Sequence, residues 1–573
     1  MPIGNGEIAA MFDELADLLD IEDANPFRVR AYRTAAEAVR TYPKGIAELV
    51  AAGQPVPKLP GVGKDLADKI HTIVETGRLP LLDEVAERTP RALSDLMKIG
   101  GLGPKRVKTL YRELDIRSID DLRKAAADHR IRDLPGFGEK TEQLILDGVG
   151  RLVEQGSRLK LSAAGAVADS LVAHLRAVDG VREIVVAGSF RRRKETVGDL
   201  DILATAADSG PLMDRFVAYP DVAEVMSKGD TRSTVRLRSG LTVDLRVVPQ
   251  SSYGAALVYF TGSKAHNIAI REIGIRRGYK INEYGVFEDG RRLRAPTEAA
   301  VYRRIGLAWV PPELRENRGE IEAAAEGRLP KLVREEDLKG DLHCHTKDSD
   351  GRSSLLDMAR AAAERGYEYL SVNDHTKRVR IANGLDEKRL LAQIRRIDAL
   401  NEKLDGLVVL KSSEVDILED GSLDLPDSVL KELDFTVCSV HYGLELPSRR
   451  QTERILRAMD NRYFTILGHP SGRRIGERDP YAVDLEKIMI AAKERGCVLE
   501  VSAHPDRLDL TDAGCRLAKE LGVKLAISTD AHSAAAIGNI RFGVDQARRG
   551  WVTAHDVVNT RPLARLRRLL ARP

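Results

Sequence analysis

The rhythm of hydrophobic and polar positions changes twice along the chain, and the changes mark its parts. Residues 1 to about 150 carry helical periodicity interrupted by short Gly/Pro turns, with little β-branched enrichment. Apolar strand-like runs follow at Glu183–Ala187 and Leu200–Ala204, and apolar and polar residues alternate across Thr242–Val248. From Arg315 to Glu336 the chain becomes charged and weakly periodic, which reads as an interdomain linker. Short apolar runs then recur at Gly340–His343, Glu368–Val372, Leu407–Lys411, Asp434–Val440, Tyr463–Leu467, Cys497–Val501 and Lys524–Ile527. Helical patterns such as Ser354–Arg365, Glu387–Glu402 and Leu485–Arg495 lie between them. That alternation predicts a parallel sheet closed on itself, and about seven units make it a distorted (β/α)7 barrel.

Composition narrows the class. At 573 residues the chain exceeds one core, and 43% hydrophobic with 31% charged residues excludes a disordered chain. No apolar run reaches the roughly 18 residues of a membrane span. The segment from Met1 to Asp20 is acidic and amphipathic, unlike a secretory signal. The formal net charge of +3 is small, so any nucleic-acid footprint must be local. Four scattered cysteines without a C-x-x-C pair fit a reducing cytoplasm and argue against a thiolate zinc site. Cys344 and Cys438 fall on predicted strands and read as small buried hydrophobes.

One glycine turn occurs three times: Leu59-Pro-Gly61-Val-Gly63-Lys64, Ile99-Gly-Gly101-Leu-Gly103-Pro-Lys105 and Leu134-Pro-Gly136-Phe-Gly138-Glu139. Each places Gly-x-Gly between helical stretches, so backbone N–H groups are free at a helix N-terminus, where a phosphate can bind. Such contacts hold a nucleic-acid backbone without reading its sequence. The three copies resemble helix–hairpin–helix DNA-binding motifs; in the third, Glu139 after the last glycine makes a purely steric role equally fitting.

The segment Ala187-Gly188-Ser189-Phe190-Arg191-Arg192-Arg193 leads into Gly198-Asp199-Leu-Asp201. Two carboxylates at i and i+2 of a strand face one side. They can hold a pair of Mg²⁺ ions that serve an in-line phosphoryl displacement. Asp244, in the apolar alternation Thr242–Val248, supplies a third carboxylate, costly to bury without a metal or partner. Tyr259-Phe260-Thr-Gly262-Ser, Asn267, Arg271 and Asn282-Glu283-Tyr-Gly follow in order.

With these motifs, residues 20 to 315 resemble the polymerase β, or X, family of DNA polymerases. The resemblance implies that Asp199 and Asp201 coordinate two Mg²⁺ or Mn²⁺ ions, and Asp244 the one near the primer 3′-hydroxyl. Gly188, Ser189, Arg192 and Gly198 would contact the dNTP triphosphate, and Tyr259, Phe260 and Gly262 the sugar. Asn267 would meet the base, and Arg271 with Glu283 the closed, templated state. Two positions depart from the animal repair enzyme: Arg193 stands where it has a glycine, and Lys264 where it has an acidic residue. The run Asn25-Pro-Phe-Arg-Val-Arg-Ala-Tyr32-Arg33 is similar to that family's lyase module and puts Lys69 at the Schiff-base position. Asp65 and Asp68 beside it oppose the lowered pKa such a lysine needs.

A second constellation lies at the ends of the predicted C-terminal strands: His343, His345, Asp350, His375, Glu414, His441, His469, Asp530 and His532. Six of these are among only 12 histidines, and nine ligands exceed one ion's needs and fit three. Mixed His/carboxylate sets suit Zn²⁺, Mn²⁺ or Fe²⁺. These residues resemble the PHP (polymerase and histidinol phosphatase) family across 339–573. That resemblance implies metal-hydroxide attack on a phosphoester in a centre holding Zn²⁺ and/or Mn²⁺. Arg473 and Arg474, just after Gly-His-Pro, could steady a phosphate, although paired arginines are more often simply surface.

The expected parts are a lyase-like helical module (1–80), a helix–hairpin–helix subdomain (81–155), a nucleotidyltransferase palm (156–250), a dNTP/template subdomain (251–316), a linker (317–338) and the PHP barrel (339–573). Together they predict a cytoplasmic, monomeric gap-filling repair polymerase acting on gapped or nicked duplex DNA with dNTPs, and not on membranes. The barrel would add 3′→5′ exonuclease, abasic-site or 3′-phosphate cleavage. The alternatives are a polymerase with a silent, structural barrel, a template-independent nucleotidyltransferase, and a non-catalytic DNA scaffold.

Overall fold

The computed structural model describes residues 5–41, 46–51, 54–59, 61–97, 99, 102–156 and 158–571. The chain divides into two units, Met1–Gly156 and Ser157–Pro573.

The first unit is helical. Its helices Asn5–Ile21, Pro26–Thr41, Lys64–Thr76, Pro104–Leu114, Ile119–Ala127 and Glu139–Gly156 bury Phe12, Leu15, Tyr32, Ile70, Leu110 and Ile145 in one core. The three glycine turns close identically: Val62, Leu102 and Phe137 donate their N–H to Leu59, Ile99 and Leu134 at 3.2, 3.0 and 3.0 Å. The carbonyls of Gly63, Gly103 and Gly138 then accept the first helical bonds, from Ala67, Val107 and Glu142. Gly61 and Gly136 sit at φ of +73° and +82°, the left-handed region open to glycine without cost. Gly101, the matching residue of the second turn, lies outside the described residues.

The second unit begins with a five-stranded sheet in the order Val181–Val186, Asp199–Ala206, Thr242–Val247, Arg232–Leu237, Val222–Lys228. Only the pairing of 199–206 with 242–247 is parallel. Helices Leu161–Arg176 and Gly210–Val217 pack Leu171, Leu175 and Phe216 onto Leu200, Val235 and Leu245 of the sheet. Helices Tyr253–Thr261 and Lys264–Arg276, a small antiparallel sheet over Tyr279–Leu293 and helix Glu298–Arg304 follow.

The stretch expected to be a linker is folded onto this segment. Arg315 is fully buried, donating to Glu298 at 2.7 Å and to the Val310 carbonyl at 2.9 Å. Helix Glu320–Ala325 buries Glu320, whose carboxylate lies 2.7 Å from His266 Nδ1, and adds Ile321 and Ala324 to the core around Val258 and Tyr302. A charged, weakly periodic stretch looks solvated in sequence; here its charges are partnered and its apolar residues inserted.

The C-terminal part contains two wholly parallel sheets. One holds Gly340–Asp341, Tyr369–Val372 and Val408–Lys411; the other Glu414–Asp416, Val437–Ser439, Ile466–Leu467, Val498–Ser502 and Leu525–Ser528. Parallel bridges at Cys344↔Ala531 and His375↔Glu414 link the two sheets. Glu414–Asp416 is a strand of its own, whereas the sequence pattern marks Glu414 only as a residue after a strand. All four cysteines are buried and unbridged.

Candidate active sites

In the first sheet the parallel register places Asp201 beside Asp244, and Asp199 two residues earlier on the same face. Burial, and then the charges of Asp199 and Asp244, push the Asp201 carboxyl up to about 6. A carboxylate crowded in this way is relieved by a divalent cation, so the trio fits metal binding. Asp199 is exposed, and Asp244 accepts from Thr234 Oγ1 at 2.5 Å and lies 3.3 Å from Arg232 Nη2. The three do not form a tight ligand group like those of the C-terminal part; Asp244 is held by protein donors instead.

Gly188 starts a short helical turn, Gly188–Arg191, at φ +60°, and a Cβ there would sit 2.6 Å from Asp201 Oδ2. The glycine therefore lets the turn approach the carboxylates, as a phosphate-binding turn must. Arg192 donates to the Thr261 carbonyl at 2.6 Å and to Glu316 at 3.1 Å. Gly262, at φ +66°, packs under the same guanidinium. Tyr259 and Phe260 meet edge to face at 5.1 Å, and Arg246 lies over Phe260. Asn267 is buried, with Nδ2 donating to the Tyr259 carbonyl at 2.7 Å and Oδ1 unpartnered among the described residues. Arg271 donates to the Asn267 carbonyl, and Glu283 occupies the turn between strands Tyr279–Asn282 and Gly285–Glu288. Ser189 lies in the Gly188 turn, and Gly198 directly precedes the Asp199 strand.

Arg193 adopts φ +56°, the region a glycine favours. Its guanidinium packs over Phe190 and lies 3.6 Å from Asp545 in the C-terminal part. The departure from glycine thus creates a contact between two parts of the second unit. Lys160 adds another, bonding Asp506 at 2.7 Å and Glu477 at 3.0 Å. Arg473, expected near a phosphate, is instead buried and bonded to Glu195 at 2.7 Å, while Arg474 pairs with Glu477. Arg507 lies beside the metal-type residues, 3.4 Å from Asp530.

Those residues do converge. His345, Asp350, His375 and His532 form one group of potential ligand atoms, His343, His345 and Asp530 a second, and His375, Glu414 and His441 a third. His345 and His375 are each shared between two groups, so the three merge into one centre. His469 joins through Glu414, 2.8 Å from its Nε2. The donor chemistry fits divalent cations: the Nδ1 atoms of His345 and His469 are buried without a hydrogen-bond partner among the described residues, and that of His375 lies 2.9 Å from a Glu414 oxygen. Burial, and then the charge of His532, push His345 down to about 3, keeping its imidazole neutral. Burial would raise Glu414, but the facing charges of His375, His441 and His343 hold it well below the usual carboxylate range.

The sequence pattern assigns no role to an outer ring of acceptors. Glu500, fully buried, lies 2.7 Å from His343 Nδ1 and accepts the His469 N–H at 2.6 Å. Asp416 lies 3.0 Å from His441 Nδ1, and the Asp530 carbonyl 2.9 Å from His532 Nδ1. Each turns an Nε2 toward the centre, the usual orienting arrangement of metal-bound histidines. Glu500 stands in the apolar run Cys497–Val501, and a lone carboxylate there is the signal that marks it.

In the helical unit Lys64 and Lys105 are exposed at the helix starts beside Gly63 and Gly103. The third turn is braced internally: Arg106 donates to the Gly136 carbonyl, and the buried Glu142 takes Arg132 and His129. Lys69 pairs with Asp65 at 2.5 Å, so its ammonium is already engaged.

A mixed sheet with paired aspartates beside a glycine turn, and a convergent His/carboxylate cluster that could hold divalent cations, are the furniture of phosphoryl-transfer enzymes. Helix-hairpin-helix domain and SAM-like helix-hairpin-helix tandem models match residues 3–79 and 93–151, and DNA polymerase beta palm and thumb models match 162–230 and 256–316. The chain is 34% identical over 570 residues to the DNA polymerase/3′-5′ exonuclease PolX of Bacillus subtilis, covering 99% of both proteins. The chain belongs to this PolX family of family X DNA polymerases. It is also 33% identical over 231 residues to a probable phosphatase of Thermoanaerobacter sp. (38% of this chain, 89% of the relative). Against DNA polymerase lambda of Rattus norvegicus it is 25% identical over 342 residues (54% of this chain, 56% of the relative).

Proposed function

We propose that this protein is a DNA-directed DNA polymerase that fills short gaps in repair and carries a separate 3′→5′ exonuclease. The observation that carries the reading is the presence, in one chain, of the Asp201–Asp244 register beside Gly188 and of three merged ligand groups around Glu414. Asp199, Asp201 and Asp244 would hold two Mg²⁺ or Mn²⁺ ions, and the nine C-terminal residues three, Zn²⁺ and/or Mn²⁺. Bound there, such ions activate a nucleophilic oxygen and neutralise charge developing on phosphoryl oxygens.

The chain's own groups do the rest. The Gly188 turn and Arg192 meet the triphosphate, once Arg192 exchanges Glu316 for it. Gly198 lies beside that turn, Tyr259, Phe260 and Gly262 line the sugar, and Asn267 and Arg271 face the base pair, with Glu283 in the closed state. Lys64 and Lys105, at turns built from Gly61, Gly63, Gly101 and Gly103, grip the phosphates of gapped or nicked duplex; Gly136 and Gly138 serve a braced turn. In the C-terminal centre, Arg507 faces the phosphate and Glu500 orients His343. Cleavage of abasic sites or 3′-phosphates by this centre, and a minor lyase role for Lys69, belong to the same reading, as does a monomer at work on cytoplasmic DNA. No described helix is long and apolar enough to cross a membrane.

The test is a primed duplex with a single-nucleotide gap and Mn²⁺. Wild type is expected to insert the complementary nucleotide and, without dNTPs, to shorten the primer from its 3′ end. Incorporation that ignores the template base would overturn the templated reading, and an undegraded primer the exonuclease reading.

A further inference from the structure

Beside the C-terminal centre lies an open groove of about 910 Å³, walled by Lys377, Arg378, Arg380 and Tyr442 over Leu423 and Pro426. Its walls are the loops that carry the third ligand group. Lys377 follows His375 by two residues, Tyr442 follows His441 directly, and Leu418 and Leu423 continue from the Glu414 strand. The groove and that ligand group are thus carried by the same segments of the chain.

We propose that this groove holds a single nucleic-acid strand on its way to the metal centre; the assignment rests on the exonuclease reading above. The chemistry is that of a strand-binding surface: cations for the backbone, an aromatic face and apolar floor for bases. Arg378 and Arg380 are exposed, and neither guanidinium is paired with a carboxylate among the described residues. Arg378 lies 5.1 Å over the Tyr442 ring, a stacked guanidinium plane on which a base can lie in turn. Ile381, 75% exposed on the same loop, extends the apolar surface. Two acids also line the groove and rule out a uniformly basic track. Glu387 neutralises Lys377 at 2.5 Å, and Asp424 accepts the Arg378 N–H at 2.8 Å. Asp424 is buried, so it braces the loop through that bond and leaves the arginine side chains to the groove. Phosphates thus fall to Arg378 and Arg380, and a duplex, with its bases turned inward, would leave Tyr442 and the floor uncovered.

The experiment uses the full chain with Mn²⁺ and compares wild type, Arg378→Ala/Arg380→Ala, Arg378→Lys/Arg380→Lys and Tyr442→Ala. Two substrates are offered: a 5′-labelled single-stranded oligonucleotide, and bis(p-nitrophenyl) phosphate, which has no strand to lay along the groove while its ester is cleaved. The ratio of oligonucleotide to small-ester kcat/KM is expected to fall at least about tenfold in the double alanine variant and in Tyr442→Ala, through KM. The lysine pair is expected to restore most of the first loss. The logarithmic salt slope of oligonucleotide binding should also flatten by about 1.4 for two lost phosphate contacts. An unchanged ratio, or equal loss on both substrates, overturns the groove while leaving the exonuclease standing. Wild type inactive on both substrates overturns the exonuclease reading and this assignment with it.

Discussion

Replacing Glu500 by Gln separates the charge of this outer carboxylate from its shape. Its two oxygens have different partners: one faces His343 Nδ1 at 2.7 Å, and the other accepts the His469 backbone N–H at 2.6 Å. A backbone N–H can only donate, so the amide oxygen of the substituted side chain must turn to His469. Its NH₂ group then meets His343 and requires Nδ1 to accept. The proton moves to His343 Nε2, the nitrogen that faces Glu414 and Asp530 at 3.5 and 3.8 Å. A protonated Nε2 cannot ligate. Loss of such an orienting partner costs about 10–100-fold in metal affinity, or about 1.4–2.8 kcal/mol. The assay is Mn²⁺ titration of 3′-end degradation, with metal retention against a competing chelator. Glu500→Gln should need about 10–100-fold more Mn²⁺ and recover activity at saturation, while gap filling keeps its metal dependence. Wild-type metal affinity in the variant would refute the orienting role.

Three further outcomes follow from the same geometry. Gly188→Ala puts a methyl carbon 2.6 Å from Asp201 Oδ2 at φ +60°, so primer extension should fall at least about tenfold while degradation persists; normal extension would show the turn to be tolerant. Burial would raise the Glu298 carboxyl, but Arg191 and Arg315 outweigh it and hold it at about 2. Because the folded value lies below the ordinary 4.5, this stabilisation, about 3 kcal/mol, is present above pH 4.5 and is lost as pH falls toward about 2. In acid denaturation, wild type should therefore lose more stability over that window than Glu298→Gln, and parallel curves would contradict it. Lys64→Ala/Lys105→Ala should weaken binding to gapped duplex at every sequence and flatten its salt slope by about 1.8, whereas an unchanged slope would remove the hairpins from the interface.

How far the sequence carried depends on the range of the interaction. Asp199, Asp201 and Asp244 were legible because strand alternation and a glycine turn are local signals, and the register that joins Asp201 to Asp244 follows from two short strands. The metal-type residues were legible because almost all follow an apolar run, Asp350 being the exception, and the parallel sheets bring those ends together. Glu500 and Asp416 act through partners far along the chain, which no local pattern states. The same holds for residues 315–325: Arg315 finds Glu298 and Glu320 finds His266, so charges that look solvated are buried pairs. Arg473 failed in the opposite direction, since its place after Gly-His-Pro suggested a phosphate while Glu195 claims its guanidinium.

The central claim is that two independent active sites share this chain, and the most direct measurement compares Asp244→Ala with His343→Ala on one gapped, end-labelled duplex with Mn²⁺. Asp244→Ala should abolish extension and leave 3′-end degradation intact, and His343→Ala should do the reverse. Loss of both activities in either variant, or degradation that survives His343→Ala, would contradict the account.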